Sequence, residues 1–137
     1  MASFEKINIP QKPPMVMVDS VISAENSVTI TSFVIKGDNV FLEDGLFREP
    51  GLIENIAQSA AAGIGARPAH KHESPKLGFI GAIRDLKVFS FPKTGDTIET
   101  KVTVTHEILN ATVASGEIRL DGKLIAECEL RIFTEDR

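Results

Sequence analysis

The sequence contains no tryptophan and no tyrosine, and it has a single cysteine, Cys128, in 137 residues. One cysteine excludes an intrachain disulfide framework and a cysteine-rich metal cluster. Without tryptophan and tyrosine, two of the side chains on which nucleic-acid bases usually stack are missing. The formal net charge of −4 also lacks the basic surplus that phosphate binding requires. The composition therefore predicts no nucleic-acid partner and gives no sign of redox chemistry.

Long apolar runs are missing as well. No stretch approaches the roughly 20 apolar residues of a membrane-spanning helix, and residues 1–6 do not follow the charged-then-apolar pattern of a signal peptide. We therefore expect no membrane span and a cytoplasmic protein. The length and the 42% content of hydrophobic residues suit a single domain, 1–137, built around one core.

Alternating and β-branched segments predict a mostly antiparallel sheet. Residues 15–23 and 27–36 are β-branched runs separated by a short polar stretch, which predicts a hairpin. Apolar and polar residues alternate in three later segments, at 98–108, 114–120 and 124–132. Asp121-Gly122, between the last two segments, is a strong signal for a two-residue hairpin turn.

Only one segment has the period of a helix. Apolar residues recur at helical spacing from Leu52 to Ile64. The segments 37–49 and 66–76 on either side have no sustained period, and we expect loops there. Two strands precede the helix and four follow it, so the sheet has an apolar face that only the helix at 50–64 can cover. The sequence thus predicts an α+β protein in which an antiparallel sheet wraps around one long helix.

Five short motifs follow one another along the chain: PPMVMVD at 13–19, GLIENIAQ at 51–58, GFIGAIR at 78–84, FPKTGD at 91–96 and DGKLIAE at 121–127. In their order and spacing they resemble the β-hydroxyacyl-ACP dehydratases (FabZ- and FabA-like) of the hotdog superfamily, including the divergent members of aryl-polyene and related lipid pathways. The resemblance implies a hotdog fold and a homodimer or higher homo-oligomer. It also implies a thioester substrate carried on phosphopantetheine, as acyl carrier protein or CoA, with no other cofactor.

The resemblance also implies a site shared between subunits. In the family, a loop histidine and an acidic residue on the central helix, from different subunits, flank the reacting carbons of the thioester. Glu54 matches the helix acid, and Gln58, one turn later, matches the family's glutamine. Gly51 and Gly81 are small enough to bring backbone amides close to the thioester carbonyl. The alternatives are a solvated side chain for Glu54, a structural hydrogen bond for Gln58 and close packing for the two glycines.

The loop histidine is missing from this sequence. Its register falls at Asp38, Asn39 and Val40. Asp38 is the candidate replacement base and Asn39 a candidate orienting group, whereas turn formation is the alternative for both. The departure leaves two further functions open: a non-catalytic acyl-binding subunit that completes the site of a second dehydratase-like subunit, and a hotdog thioesterase in which a helix carboxylate activates water.

The remaining titratable residues have simpler interpretations. His70 and His72 have no acidic or cysteine partner at a recognisable interval, so we expect no metal site. His106 shares the parity of Val102 and Val104, which predicts a buried histidine or a pocket residue, and Cys128 lies in an apolar row typical of core packing. Five basic residues are candidates for a local patch that binds an acidic carrier protein, with ordinary solvation as the alternative: Arg67, Lys71, Lys76, Arg84 and Lys87.

Overall fold

The computed structural model describes residues 7–67, 73–75 and 78–134. The elements follow one another as β1 (Ser20–Glu25), β2 (Val28–Val34), β3 (Leu42–Glu43), β4 (Leu46–Phe47), α1 (Glu49–Gly65), β5 (Gly78–Val88), β6 (Thr97–Ile108), β7 (Ala111–Leu120) and β8 (Lys123–Thr134). Within these ranges, no helix has the length and apolar character needed to cross a membrane.

Six of the strands form one antiparallel sheet in the order β1-β2-β6-β7-β8-β5. This sheet wraps around α1, which confirms the predicted α+β architecture. The short strands β3 and β4 form a separate ribbon just before the helix, joined by Asp44 and Gly45 with φ of 53° and 78°. The prediction of a plain loop over 37–49 is therefore wrong in this part. Two-residue strands are too short to produce a visible alternation.

The helix is buried on most of its surface because small residues let the sheet approach it. A Cβ atom at Gly63 would overlap the side chain of Thr29 in β2, and a Cβ atom at Gly116 in β7 would overlap Ile56 of the helix. Ile56 is fully buried in the core cluster. The helix predicted at 50–64 is confirmed to within one residue at each end.

The hairpin between β7 and β8 has the predicted turn. Asp121 and Gly122 have φ of 52° and 80°, and Leu120 pairs with Lys123 across the turn. Positive φ at both central residues gives the turn a twist that matches the twist of the flanking strands.

Two strand predictions are wrong in part. The first strand begins at Ser20, because the backbone of Met17 is held by side chains of α1 instead of by a neighbouring strand. In β6, a register shift lies between Val104 and His106, and the alternation of buried and exposed residues ends there, since residues 105–108 are all exposed. His106 is therefore exposed, and its ring nitrogen Nδ1 contacts the hydroxyl of Thr105 at 3.2 Å. The expectation of an inward-facing histidine is wrong.

Candidate active site

One side of α1 remains open. Four helix residues, spaced three or four positions apart, line a cavity of about 370 Å³: Glu54, Ala57, Ala61 and Ile64, with Ala60 beside them. This spacing places side chains on one face of a helix. The other walls are formed by Pro10, Gln11, Gly78, Phe79, Ile80, Thr112, Ile132 and Thr134. Glu54 is thus the acidic group at the N-terminal end of a row of small and apolar helix residues.

The open side continues beyond this cavity. A second cavity of about 460 Å³ shares five lining residues with the first: Pro10, Ala61, Ile64, Thr112 and Thr134. Its other walls are more polar and include Asn8, Ser74 and Asn110. Ala61 therefore lies where the two cavities meet.

Gln58 holds the carboxylate of Glu54. The amide nitrogen Nε2 of Gln58 donates to Oε2 of Glu54 at 2.8 Å and to the carbonyl oxygen of Met15 at 2.9 Å. The amide oxygen Oε1 of Gln58 accepts from the backbone N–H of Met17 at 2.6 Å. Gln58 is 1% exposed, whereas Glu54 is half-buried. The glutamine is therefore fixed at both ends of its amide while it binds the carboxylate.

Asp38 and Asn39 do not line the Glu54 cavity. They line a separate cavity of about 230 Å³ beside Pro13 and Pro14. Asn39 Oδ1 accepts from the backbone N–H of Phe41 at 2.8 Å, which is the local turn that asparagine commonly forms. Asp38 is exposed. Within one subunit, the two candidates for the base are not brought together with Glu54. Their reach across a subunit boundary stays a prediction.

The two candidate glycines pack closely against aromatic rings. The backbone N–H of Gly51 donates to the carbonyl of Arg48 at 3.0 Å, and a Cβ atom at this position would lie 2.5 Å from a ring carbon of Phe47. Gly81 occupies a register shift in β5 where the ring of Phe133 lies over it. Neither glycine lines the Glu54 cavity. The structure therefore supports the packing interpretation, and the predicted contacts with the thioester carbonyl stay predictions.

Among the described residues, the other titratable candidates form no further site. Among the described residues, no group of three or more histidine, cysteine, aspartate or glutamate side chains could hold a metal ion, and His70 and His72 lie outside them. Cys128 is 5% exposed within the core, as predicted. Burial raises the pKa of its thiol to about 11, so the reactive thiolate is disfavoured.

Acidic neighbours accompany the described basic residues. Nη1 of Arg67 lies 3.8 Å from Oε1 of Glu107. Arg84 pairs with Glu129 and Lys87 with Glu127 across the β5–β8 ladder. Lys71 and Lys76 lie outside the described residues. A purely basic patch is therefore not formed by the part of the chain that the structure describes.

A family model described as "ApeP-like: ApeP dehydratase" matches residues 5–137 of the chain. The chain belongs to the ApeP-like dehydratase family. Among curated relatives of this ApeP-like chain, the 3-hydroxyacyl-[acyl-carrier-protein] dehydratase FabZ of Anaeromyxobacter sp. (strain K) is 28% identical over 142 residues, which cover 94% of this chain and 86% of the relative. The FabZ of Clostridium botulinum (strain Loch Maree / Type A3) is 27% identical over 128 residues, with 89% and 87% covered.

Solved structures support the hotdog fold of the ApeP-like chain. A chain of the dehydratase heterocomplex ApeI:P from Xenorhabdus doucetiae superposes with a TM-score of 0.85 at 18% identity, covering 96% of this chain and 90% of that one. A hypothetical thioesterase with coenzyme A from Streptococcus pneumoniae superposes with a TM-score of 0.65 at 10% identity, and 86% of each chain is covered. At these identities the likeness concerns the fold alone.

Sequence reasoning missed two fully buried residues that lie behind the site and are joined to Gln58 through the backbone of Met17. Asn55 donates to the carbonyl of Met17 at 2.8 Å, and the hydroxyl of Thr100 donates to Asn55 at 2.5 Å. A signal was present in the sequence. Asn55, Gln58 and Ser59 are polar residues at helical spacing in a helix that the sheet covers on most sides, and such residues need buried hydrogen-bond partners.

Proposed function

We propose that this chain dehydrates 3-hydroxyacyl thioesters carried on acyl carrier protein, with Glu54 as the general acid. The observation that carries the proposal is the half-buried carboxylate of Glu54, held by Gln58 at 2.8 Å, at one end of a cavity lined by small and apolar side chains. Membership of the ApeP-like dehydratase family and the FabZ relatives support the same reaction.

Dehydration requires two proton transfers. A base removes a proton from the α carbon, the electrons of that C–H bond form the α–β double bond, and the β-hydroxyl leaves as water after it receives a proton from an acid. Glu54 supplies the proton to the hydroxyl. The product is a trans-2-enoyl thioester, and no redox cofactor takes part because no net oxidation occurs.

Gln11 is a candidate for orienting the substrate within the cavity. Its amide oxygen Oε1 is buried and has no hydrogen-bond partner among the described residues, although Gln11 lines the same cavity as Glu54. A buried acceptor without a partner costs about 1–3 kcal/mol. A donor on the bound substrate, such as the β-hydroxyl or an amide N–H of the phosphopantetheine, would satisfy it.

The base is assigned to the loop before β3, from a neighbouring subunit. Asp38 is the candidate because a carboxylate accepts protons, while Asn39 can only orient groups by hydrogen bonds. Neither lines the Glu54 cavity of its own subunit, so the proposal requires that subunits associate.

Association through the edge strand β5 would meet this requirement. Among the described strands β5 pairs only with β8, and it carries Phe79 and Ile83 at 55% and 45% exposure. An open edge of this kind is a template for pairing with another chain. We propose a homodimer or higher homo-oligomer. The ApeI:P heterocomplex supports a second dehydratase-like subunit as the alternative neighbour.

Replacing Glu54 by glutamine tests the proposed reaction. Glu54→Gln keeps the shape of the side chain and an acceptor for Gln58 but removes the transferable proton. Interconversion of 3-hydroxyacyl-ACP and trans-2-enoyl-ACP, followed by mass spectrometry, should fall by about 10²–10⁴-fold. Glu49→Gln is the matched control, because Glu49 begins the same helix and lines none of the cavities described above.

A partner-dependent subunit is the second candidate function. The observation that favours it is the separation of Asp38 and Asn39 from the Glu54 cavity, together with the absence of histidine from the loop. If the purified protein turns over neither acyl-ACP nor acyl-CoA, this function replaces the first. Release of free thiol without dehydration would instead identify a thioesterase.

A further inference from the structure

Two pairs of buried polar side chains connect the helix to the sheet. The hydroxyl of Thr100 in β6 donates to Asn55 Oδ1 at 2.5 Å, and the hydroxyls of Thr31 in β2 and Ser59 lie 2.7 Å apart. All four residues are 0% exposed. Thr31 and Thr100 are also directly opposite each other in the β2–β6 ladder. The two pairs are therefore matched in burial and position.

Of these two pairs, the Thr100–Asn55 pair is the one that further hydrogen bonds connect to Glu54. Asn55 Nδ2 donates to the carbonyl oxygen of Met17 at 2.8 Å, and the N–H of Met17 donates to Gln58 Oε1 at 2.6 Å. Gln58 in turn donates to Glu54 at 2.8 Å. The result is a continuous set of hydrogen bonds from strand β6, through the helix and the backbone of Met17, to the carboxylate.

The donors and acceptors fix the orientation of each amide. A backbone carbonyl only accepts, so Asn55 must turn Nδ2 towards Met17, and Thr100 must then donate to Oδ1. A backbone N–H only donates, so Gln58 must turn Oε1 towards Met17 and Nε2 towards Glu54. Oε2 of Glu54 therefore accepts the hydrogen bond from Gln58.

We propose that Asn55, anchored by Thr100, is a positioning residue for Glu54. This inference rests on the proposed dehydratase function. Asn55 holds the backbone of Met17 through its carbonyl, and the N–H of the same residue then orients the amide of Gln58 and thereby the acid. The hydroxyl of Ser59 donates to the backbone carbonyl of Asn55 at 2.6 Å within the helix, but among the described residues no hydrogen bond joins Thr31 or Ser59 to Met17, so their pair serves the packing of helix on sheet.

Two isosteric substitutions separate positioning from packing. Thr100→Val removes the hydroxyl that anchors Asn55, and Thr31→Val removes an equally buried hydroxyl on the neighbouring strand. We expect Thr100→Val to lower kcat for 3-hydroxyacyl-ACP by roughly 10–100-fold with little change in KM, since small misplacements of a catalytic group have effects of this size. Thr31→Val should keep kcat, and Thr100→Ser, which retains the hydroxyl, should restore it. Equal losses in the two valine variants, or no loss in Thr100→Val, would overturn the inference.

A readout independent of turnover keeps the two proposals distinguishable. The side-chain amide of Gln58 gives a pair of signals in ¹⁵N-edited NMR, which Gln58→Glu assigns by their disappearance. We expect Thr100→Val and Asn55→Leu to shift these signals and Thr31→Val to leave them in place. If wild-type protein has no dehydratase activity, the proposed function fails, whereas the amide signals still decide whether Asn55 orients Gln58. Unshifted signals in Thr100→Val would overturn the positioning role.

Discussion

Replacing Ala61 by leucine should shorten the acyl chains that the protein accepts. Ala61 lies seven residues after Glu54 on the open face of α1, at the junction of the two cavities. At a rise of about 1.5 Å per residue, the substitution is about 10 Å from the acid. A leucine there projects into open space beyond the reacting carbons, so we expect the fold and the chemistry near Glu54 to remain intact.

The size of the effect follows from the carbon atoms added. Leucine has three more carbons than alanine and would displace about three methylene groups of a long acyl chain. At about 0.8 kcal/mol for each buried methylene, the loss is about 2.4 kcal/mol of binding free energy. This loss lowers kcat/KM roughly fiftyfold for the long chain. A short chain that ends before Ala61 should be unaffected.

The assay compares kcat/KM for 3-hydroxydecanoyl-ACP and 3-hydroxybutyryl-ACP in the two proteins. Ala66→Leu is the control, because Ala66 is exposed just beyond the helix and lines neither of the two cavities that meet at Ala61. The reasoning is refuted if Ala61→Leu lowers turnover of both substrates equally, or if it changes neither. The first result would indicate a general disturbance of the site, and the second would indicate that the acyl chain lies elsewhere.

Three other predictions concern the base, the assembly and the thiol. Asp38→Asn should lower turnover without lowering the melting temperature, and a loss of stability with full activity would assign Asp38 to the turn. Sedimentation at micromolar concentration should give at least a dimer of the 14.9 kDa chain, and Ile83→Glu on the β5 edge should weaken it; a wild-type monomer would contradict the shared site. Alkylation of Cys128 in the native protein should stay slow up to pH 9, because burial raises the pKa of the thiol to about 11. The pKa of the thiol in the unfolded chain is near 9.0, so the stability that the folded state gains from holding this thiol protonated is fully present below pH 9 and is lost as the pH rises towards 11. Fast alkylation of the native protein at pH 8 would show that the thiol is not buried.

The helix and the turn at Asp121-Gly122 could be predicted because their signals are local and repeated. A helical period over thirteen positions, from Leu52 to Ile64, and a dipeptide with positive φ depend little on the rest of the chain. Register shifts are different. One inserted residue reverses the side of the sheet that every later side chain faces, and the shift before His106 is not marked by glycine or proline.

The β5 strand illustrates the same limit. It contains two register shifts, one at Gly81 and another near Asp85, where φ is 54°. Its apolar residues therefore follow no single alternation, although the strand is eleven residues long. The start of the first strand could not be predicted either. Residues 15–17 have β-branched and apolar character, but their backbone partners are side chains of α1 that lie about forty positions later.

Within the site, resemblance identified Glu54 and Gln58, and the structure explains why the two belong together. Residue pairs four positions apart on a helix meet on one face, so the acid and the amide that holds it come from one element. Asn55 and Thr100 could not be paired from the sequence, because the contact depends on which strand lies over which turn of the helix. That arrangement follows from the strand order, in which β6 is a central strand next to β2.

The two halves of the proposed reaction therefore depend on different levels of structure. The contacts of the proposed acid lie within one chain, since Glu54, Gln58 and Met17 are connected by hydrogen bonds that need no second subunit. The base half requires a loop that, in its own subunit, lines another cavity. In the proposed function, the missing loop histidine therefore concerns the base half, for which Asp38 of a neighbouring subunit is the candidate, and it leaves the contacts of Glu54 unchanged. Under this proposal, each subunit keeps Glu54 oriented by its own contacts, and the base comes from a neighbouring subunit, identical or dehydratase-like.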